Sequence, residues 1–252
     1  MQLINSANII LIPKKGGADI VGDFRPISLI HSFVKVITKD LALRLQKYMP
    51  SIVSQCQSAF IKTRSIHDKF MAVRTAARRY HRNKTPALFL KLDITKAFDS
   101  VRWEYLLNLL QRLGFPQRWR DWIAALLSTS TSRVFLNGVP NPPIRHGRGL
   151  RQGDTLSPLL FVLAIDPLQR ILDLATEMGA LTKLRGKGPH LRISMYADDA
   201  ALFVAPSQEE VRTLASILSS FGEVTRLKTN FKKSIVIPIQ CQGIDLSSVL
   251  NG

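Results

Sequence analysis

The chain has 252 residues, 46% of them hydrophobic, which is enough apolar content for a packed core and too much for a disordered tail. Lys and Arg number 35 against 18 acids, a net charge of +17 that suggests a polyanionic partner, although a solvated basic face would also explain it. No apolar run reaches the roughly 18 residues of a membrane span, the start Met1-Gln-Leu-Ile-Asn-Ser lacks a secretory-signal pattern, and Cys56, Cys241 and the scattered histidines build neither a disulfide framework nor a zinc site.

Asn8-Ile-Ile-Leu-Ile-Pro13 reads as a strand ending at proline, followed by a Lys14-Lys15-Gly16-Gly17 turn. Apolar Phe33, Val34, Ile37, Leu41, Leu45 and Tyr48 recur every three or four residues, predicting a helix over 33–49 that Pro50 ends. A second helix is expected over 66–82, with Ser65 as N-cap and a basic last turn. Residues 87–92 form a strongly apolar strand. Ser100 is expected to cap a helix running to Leu113, and Pro116 opens another over 117–127. Strands are expected at 133–136 and 144–146 around an Asn137-Gly138 turn.

Ser157 starts a long apolar helix to Glu177 that Pro167 should kink, and 177–190 is a basic connection without periodicity. A hairpin follows, 193–196 with 200–204, and then Ser207-Gln-Glu-Glu210 with capping-box spacing leads a helix to about Phe221. A last strand covers 234–239. Strands and helices intermix without βαβ alternation, so the expected class is α+β, with helices on one face of a mainly antiparallel sheet. Residues 1–92 hold 16 basic and four acidic side chains, so +12 of the +17 lies in the N-terminal third.

Asp198 and Asp199 interrupt the apolar hairpin. Acids there need a positive counterpart, and a divalent metal prefers oxygen ligands, whereas a bare Asp-Asp turn needs neither. Asp93 follows the apolar strand 87–92, a position from which a carboxylate can project into a cleft. One acid at a strand end with a pair at a hairpin tip is the donor set of two-metal phosphoryl transfer, in which the ions lie about 3.5–4 Å apart. One ion activates the primer hydroxyl and the other holds the triphosphate.

Asp93-Ile-Thr-Lys-Ala-Phe-Asp99 with Tyr196-Ala-Asp-Asp199 resembles the reverse transcriptases of LINE-type, non-LTR retrotransposons, particularly the plant ones. Asp23-Phe-Arg-Pro-Ile-Ser-Leu29, Gln57-Ser-Ala-Phe60, Arg151-Gln-Gly-Asp154 with Leu156-Ser-Pro158, and Asn230 with Lys233-Ser234 are similar to that family's other blocks, in the family's order. The resemblance implies a right-hand polymerase of fingers and palm, an antiparallel palm sheet backed by helices, and a single domain over 1–252. Residues 1–85 would be mainly fingers and 86–252 mainly palm with a fingers contribution.

It further implies an RNA template, a DNA primer, dNTPs and two Mg²⁺ ions, which Mn²⁺ can replace, with no membrane. Asp93, Asp198 and Asp199 would be catalytic and metal-binding, with the Ile94 carbonyl as an added ligand. Phe98 would be the gate against a 2′-hydroxyl, unless it is plain core. Gln152 and Gly153 would lie beneath the templating pair, unless the glycine only makes a turn. Arg25 would grip the triphosphate, with Lys14 or Lys15 assisting or merely solvated. Lys233 would protonate pyrophosphate, beside Lys228 and Lys232 on what is equally a solvated face. Tyr196 would pack under the primer terminus or belong to the hairpin core, and Asp99 and Asp154 would be supports.

Thr155 stands where the family commonly has Pro, Thr63 where Gly precedes Arg64, and Arg226 where Gly precedes Leu227; a glycine turn at 226 calls for φ > 0, which strains Arg. The sequence stops before the Tyr-Leu-Gly primer-grip block and the helical thumb, and shows no endonuclease or Cys/His segment. The family implies synthesis in the nucleus. Two rival readings stand beside this one: a truncated remnant that only binds RNA or RNA–DNA hybrid, and an RNA-dependent RNA polymerase, against which Phe98 argues.

Overall fold

The computed structural model describes residues 4–136, 138–183 and 191–250. Its first elements are β1 (Ser6–Pro13), β2 (Phe24–Ile30), α1 (Ser32–Gln46), α2 (Met49–Ile52), α3 (Ile66–Arg82), β3 (Ala87–Leu92), α4 (Ala97–Ser100), α5 (Trp103–Arg112) and α6 (Gln117–Ser128). These are followed by β4 (Thr131–Leu136), β5 (Val139–Pro140), β6 (Ile144–Arg145), α7 (Ser157–Ile165), α8 (Pro167–Glu177), β7 (Ile193–Tyr196), β8 (Asp199–Val204), α9 (Gln208–Thr225), β9 (Ile235–Ile239) and α10 (Leu246–Leu250). The chain gathers into two compact units, one of Met1–Tyr48 with Phe98–Phe161, the other of Met49–Ala97 with Val162–Gly252.

The first unit is built on a mixed sheet of order β2-β1-β4-β5, with β6 also on β4. β1 pairs antiparallel with β2 and parallel with β4. β2 carries Pro26, which lacks the amide of a central strand; the edge position of β2 tolerates it. Apolar Val34, Leu41 and Leu45 of α1, Leu106 and Leu110 of α5, and Ile123 and Leu126 of α6 are buried, whereas Phe33 and Tyr48, expected on the same apolar face, are exposed. Pro50 does not end the first helix: α1 stops at Gln46, and Pro50 sits in the first turn of α2, where its missing amide has no partner to lose.

The second unit holds an antiparallel sheet of order β7-β8-β3-β9. α3 packs on it through Val73, Ala76, Ala77 and Tyr80, with the Tyr80 ring stacked on Phe203 at 5.3 Å. Ser65 caps α3 by accepting from the His67 amide (3.1 Å). Pro167 does more than kink the apolar helix: α7 ends at Ile165 and α8 begins at Pro167. Between them the buried Asp166 accepts from the Ser54 amide (2.9 Å) and is also bonded to the Ser54 hydroxyl.

Three local expectations are corrected. Ser100 ends the short α4, and α5 starts after Arg102 without a side-chain cap. α9 runs to Thr225, four residues beyond Phe221. Ser207 accepts from the Glu210 amide (3.3 Å), but Glu210 does not return a bond to complete the box; its buried carboxylate pairs with Arg192 at 3.1 Å and accepts from the Thr182 amide at 2.8 Å. Residue 137 of the expected turn and 184–190 of the basic connection lie outside the described residues.

Arg226 closes α9 in the left-handed region, at φ 69°, with its amide on the Gly222 carbonyl (2.9 Å). A Cβ is unfavourable in that conformation and the side chain is exposed, so Arg226→Gly is expected to stabilise the protein by about 1 kcal/mol. Thermal unfolding should rise by about 2–4 °C, and a fall would refute the strain.

Candidate active site

In the second unit, β3 hands directly into Asp93. The turn before β9 grips this residue by both backbone groups: the Asp93 amide donates to the Ser234 hydroxyl (3.2 Å), and its carbonyl accepts from the Asn230 amide (2.7 Å). Neither bond uses the half-buried carboxylate. Ile94 forms an antiparallel bridge with Thr229, made by the Asn230–Asp93 bond and by the Thr95 amide on the Lys228 carbonyl (2.9 Å). The Ile94 carbonyl takes part in neither. Lys233 is exposed on this same turn, its amide on the Asn230 carbonyl (3.1 Å).

β7 and β8 pair Tyr196 with Asp199, leaving Ala197 and Asp198 as a two-residue turn. β3 and β8 pair Leu92 with Ala200, so one step further brings Asp93 beside Asp199. The structure therefore draws Asp93 to the Asp198-Asp199 pair, which lies about a hundred residues further along the sequence. Burial by the surrounding protein pushes the Asp198 carboxyl above the usual carboxylate range, against a hydrogen bond from its own backbone, and the charges of Asp199 and Asp93 push it further. Lys91 lies 3.6 Å from Asp199 as an exposed pair. Among the described residues no three His, Cys, Asp or Glu side chains converge as a finished metal cage. The mutual repulsion at Asp198 is nevertheless the electrostatics that a divalent cation relieves, and the donors are hard oxygens. Tyr196 is 42% exposed at the hairpin's end, so it is not core.

Ala197 has φ 53°, which a tight hairpin turn requires and an alanine resists. It is held there by Gln57, which is wholly buried. The Gln57 Oε1 accepts from the amides of Ser58 (3.0 Å), Ala59 (3.0 Å) and Ala197 (3.1 Å), while Nε2 donates to the Ala197 carbonyl (3.4 Å). Arg64 fixes the loop behind it, donating to the carbonyls of Ser54 (2.6 Å), Gln57 (2.7 Å), Val53 (2.9 Å) and Pro50 (3.2 Å). Neither role was legible in sequence; the signal was a glutamine inside an otherwise small and apolar block. Gln57→Leu keeps the volume but orphans the Ala197 amide and its neighbours. Its expected effect is a loss of about 3 kcal/mol in chemical denaturation, and an unchanged midpoint would show that the clamp carries nothing.

The first unit carries the remaining predicted residues. Arg25 is exposed on β2, opposite Ile12 of β1. Lys14 donates to the Gly22 carbonyl (2.9 Å) and Lys15 pairs with Asp23 (3.2 Å), so both close the β1–β2 hairpin. The half-buried Phe98 ring stacks on buried Phe161 with centroids 4.5 Å apart, which fixes its orientation. Gly153 has φ 102°, and a Cβ there would lie 2.9 Å from the Ser28 carbonyl oxygen. The neighbouring Gln152 carbonyl accepts from the Ser28 amide (3.0 Å), so the glycine is needed for contact with β2 within the fold. The Gln152 amide group reaches Asp99 at 3.5 Å, and Asp154 accepts from the Leu156 amide (3.0 Å) just before α7. Gly149, which sequence reasoning passed over, has φ 81° with its Cβ position 2.6 Å from the Asp99 carbonyl oxygen.

The family model described as reverse transcriptase (RNA-dependent DNA polymerase) matches residues 12–244. The chain is 30% identical over 226 residues to the transposon TX1 uncharacterized 149 kDa protein of Xenopus laevis, covering 89% of this chain and 17% of that protein. It is 28% identical over 247 residues to the Pol polyprotein from the type-2 retrotransposable element R2DM of Drosophila melanogaster, covering 98% of this chain and 22% of that one. The chain thus spans about a fifth of the length of these relatives. A solved telomerase from Candida albicans, in complex with a fragment of telomeric RNA, superposes with a TM-score of 0.64 at 14% identity, over 93% of this chain and 43% of that one. That likeness shows a right-hand polymerase fold. With Asp93 following β3, Asp198 in the β7–β8 turn and Asp199 opening β8, a matching family model over most of the sequence, and relatives among retrotransposon Pol proteins, the chain belongs to the reverse transcriptase family of non-LTR retrotransposons.

Proposed function

We propose that the chain adds dNTPs to a primer 3′-hydroxyl on an RNA template, as the polymerising part of a retrotransposon protein. The observation that carries this reading is the strand register, which brings Asp93 at the end of β3 beside Asp199 of β8 and next to Asp198 in the β7–β8 turn. The second unit's sheet is the palm in this reading, and the β1–β2 hairpin with Arg25 belongs to the fingers.

The family generally uses divalent metal ions. We assign two Mg²⁺ ions, replaceable by Mn²⁺, to the carboxylates of Asp93, Asp198 and Asp199 with the Ile94 carbonyl. Bound there, they supply neutralisation of phosphoryl charge and an acidified primer hydroxyl. The remaining roles belong to protein groups. The Arg25 guanidinium suits the fork geometry of a triphosphate oxygen pair. Gln152 and Gly153 present backbone to the nascent base pair, and the exposed Tyr196 ring supports the primer terminus. Lys233, on the turn that holds Asp93, gives its proton to the departing pyrophosphate.

Phe98 excludes the 2′-hydroxyl because its stack on Phe161 keeps the ring from swinging away. Phe98→Ala is therefore expected to cut dNTP-over-NTP discrimination by about tenfold or more in single-nucleotide primer extension, since an opened pocket admits the hydroxyl. Unchanged discrimination would remove the gate from the account.

A further inference from the structure

One face of α3 carries charge that the polymerase reading leaves unused. Phe70, Arg74, Arg78 and Arg82 recur every four residues, so they form a single ridge rising about 6 Å per step. The ridge lines a groove whose other wall is Ile237 and Pro238 of β9 with Gln240 beyond it. Phe70 is 62% exposed and Ile237 49%. Among the described residues none of the three arginines is in a salt bridge. The only acid of the helix, Asp68, lies in its first turn. Like charges four residues apart repel along a helix, and an anionic strand laid along the ridge would relieve that repulsion.

The groove also lies away from the acids. It is lined by Phe89, which lies roughly 13 Å before Asp93 along β3, and by Ile239, which pairs with Ala87 roughly 20 Å before it. We propose that this groove is a second nucleic-acid site, binding single-stranded RNA through its phosphates on the arginine ridge and stacking a base on Phe70. A cationic track beside an exposed ring and an apolar wall is the pattern of sequence-tolerant single-strand binding. The proposal does not depend on polymerase activity.

The test is fluorescence anisotropy of a labelled 20-nucleotide single-stranded RNA against the intact chain over a salt series. Removing three phosphate contacts in Arg74→Gln/Arg78→Gln/Arg82→Gln should flatten the slope of log affinity against log salt by about 2. Phe70→Ala should weaken binding about tenfold at every salt concentration. Glutamine is a good helix former and all four residues are lining, not core, so thermal melts of both variants should match the parent. Primer extension on a short, saturating primed template should be unchanged in both. An unchanged slope with parental affinity in Phe70→Ala would overturn the proposal. So would tighter binding of a duplex, or equal displacement of the RNA by a poly-glutamate of matched charge, which would assign the groove to an acidic peptide. Loss of extension in the parent itself would count against the proposed polymerase activity and leave this result standing.

Discussion

Glu210→Ala is expected to lose about 3–5 kcal/mol of stability, a large part of the roughly 5–15 kcal/mol that holds an ordinary domain together. The Arg192 guanidinium and the Glu210 carboxylate are 6% and 3% exposed and 3.1 Å apart. Arg192 is also bonded to the Thr182 carbonyl, and Glu210 accepts from the Thr182 amide, so the pair ties the start of α9 to the strand leading into β7 and to residue 182. Removing the carboxylate leaves a buried cation without its counter-charge, and it leaves the Thr182 amide without an acceptor. Thermal unfolding should fall by about 10 °C. The double substitution Arg192→Met/Glu210→Leu removes both charges together and should recover part of the loss, because an apolar pair avoids the desolvation that the ions pay while the Thr182 amide and carbonyl are left without these partners. A loss below about 1 kcal/mol in Glu210→Ala would show that water reaches the pair and that it is a surface contact in effect.

This pair also marks where sequence stops being sufficient. Ser207 with Glu210 has the spacing of a reciprocal cap, and the serine half forms. The glutamate half yields to Arg192, a partner 18 positions away that local spacing cannot reveal. The same division runs through the molecule. Ser65, Pro116, Pro167 and the acid-bearing hairpin act within a few residues of themselves, so their elements appear close to where pattern puts them. β2 was hidden by Pro26, because only the sheet order shows that it lies at an edge.

At the candidate site, the identities of Asp93, Asp198 and Asp199 were legible from their blocks. The buried Gln57 that shapes the turn between Tyr196 and Asp199 was not, because its role rests on bonds 140 residues apart. The strain at Arg226 was legible because a positive φ is a property of one residue, whatever surrounds it.

The central claim is that the three carboxylates perform polymerisation chemistry, and Asp198→Asn tests it with little disturbance of the fold. The substitution is close in shape, and it removes a charge that burial, Asp199 and Asp93 all disfavour, so the folded protein should be at least as stable as the parent. Loss of a metal-binding oxygen should lower dNTP incorporation on a primed RNA template by about a hundredfold or more. Primer extension by the parent and by Asp198→Asn, in Mg²⁺ and in Mn²⁺, is the measurement. The account predicts extension by the parent and near-complete loss in the variant at equal or higher melting temperature, whereas equal incorporation by the two proteins would contradict it.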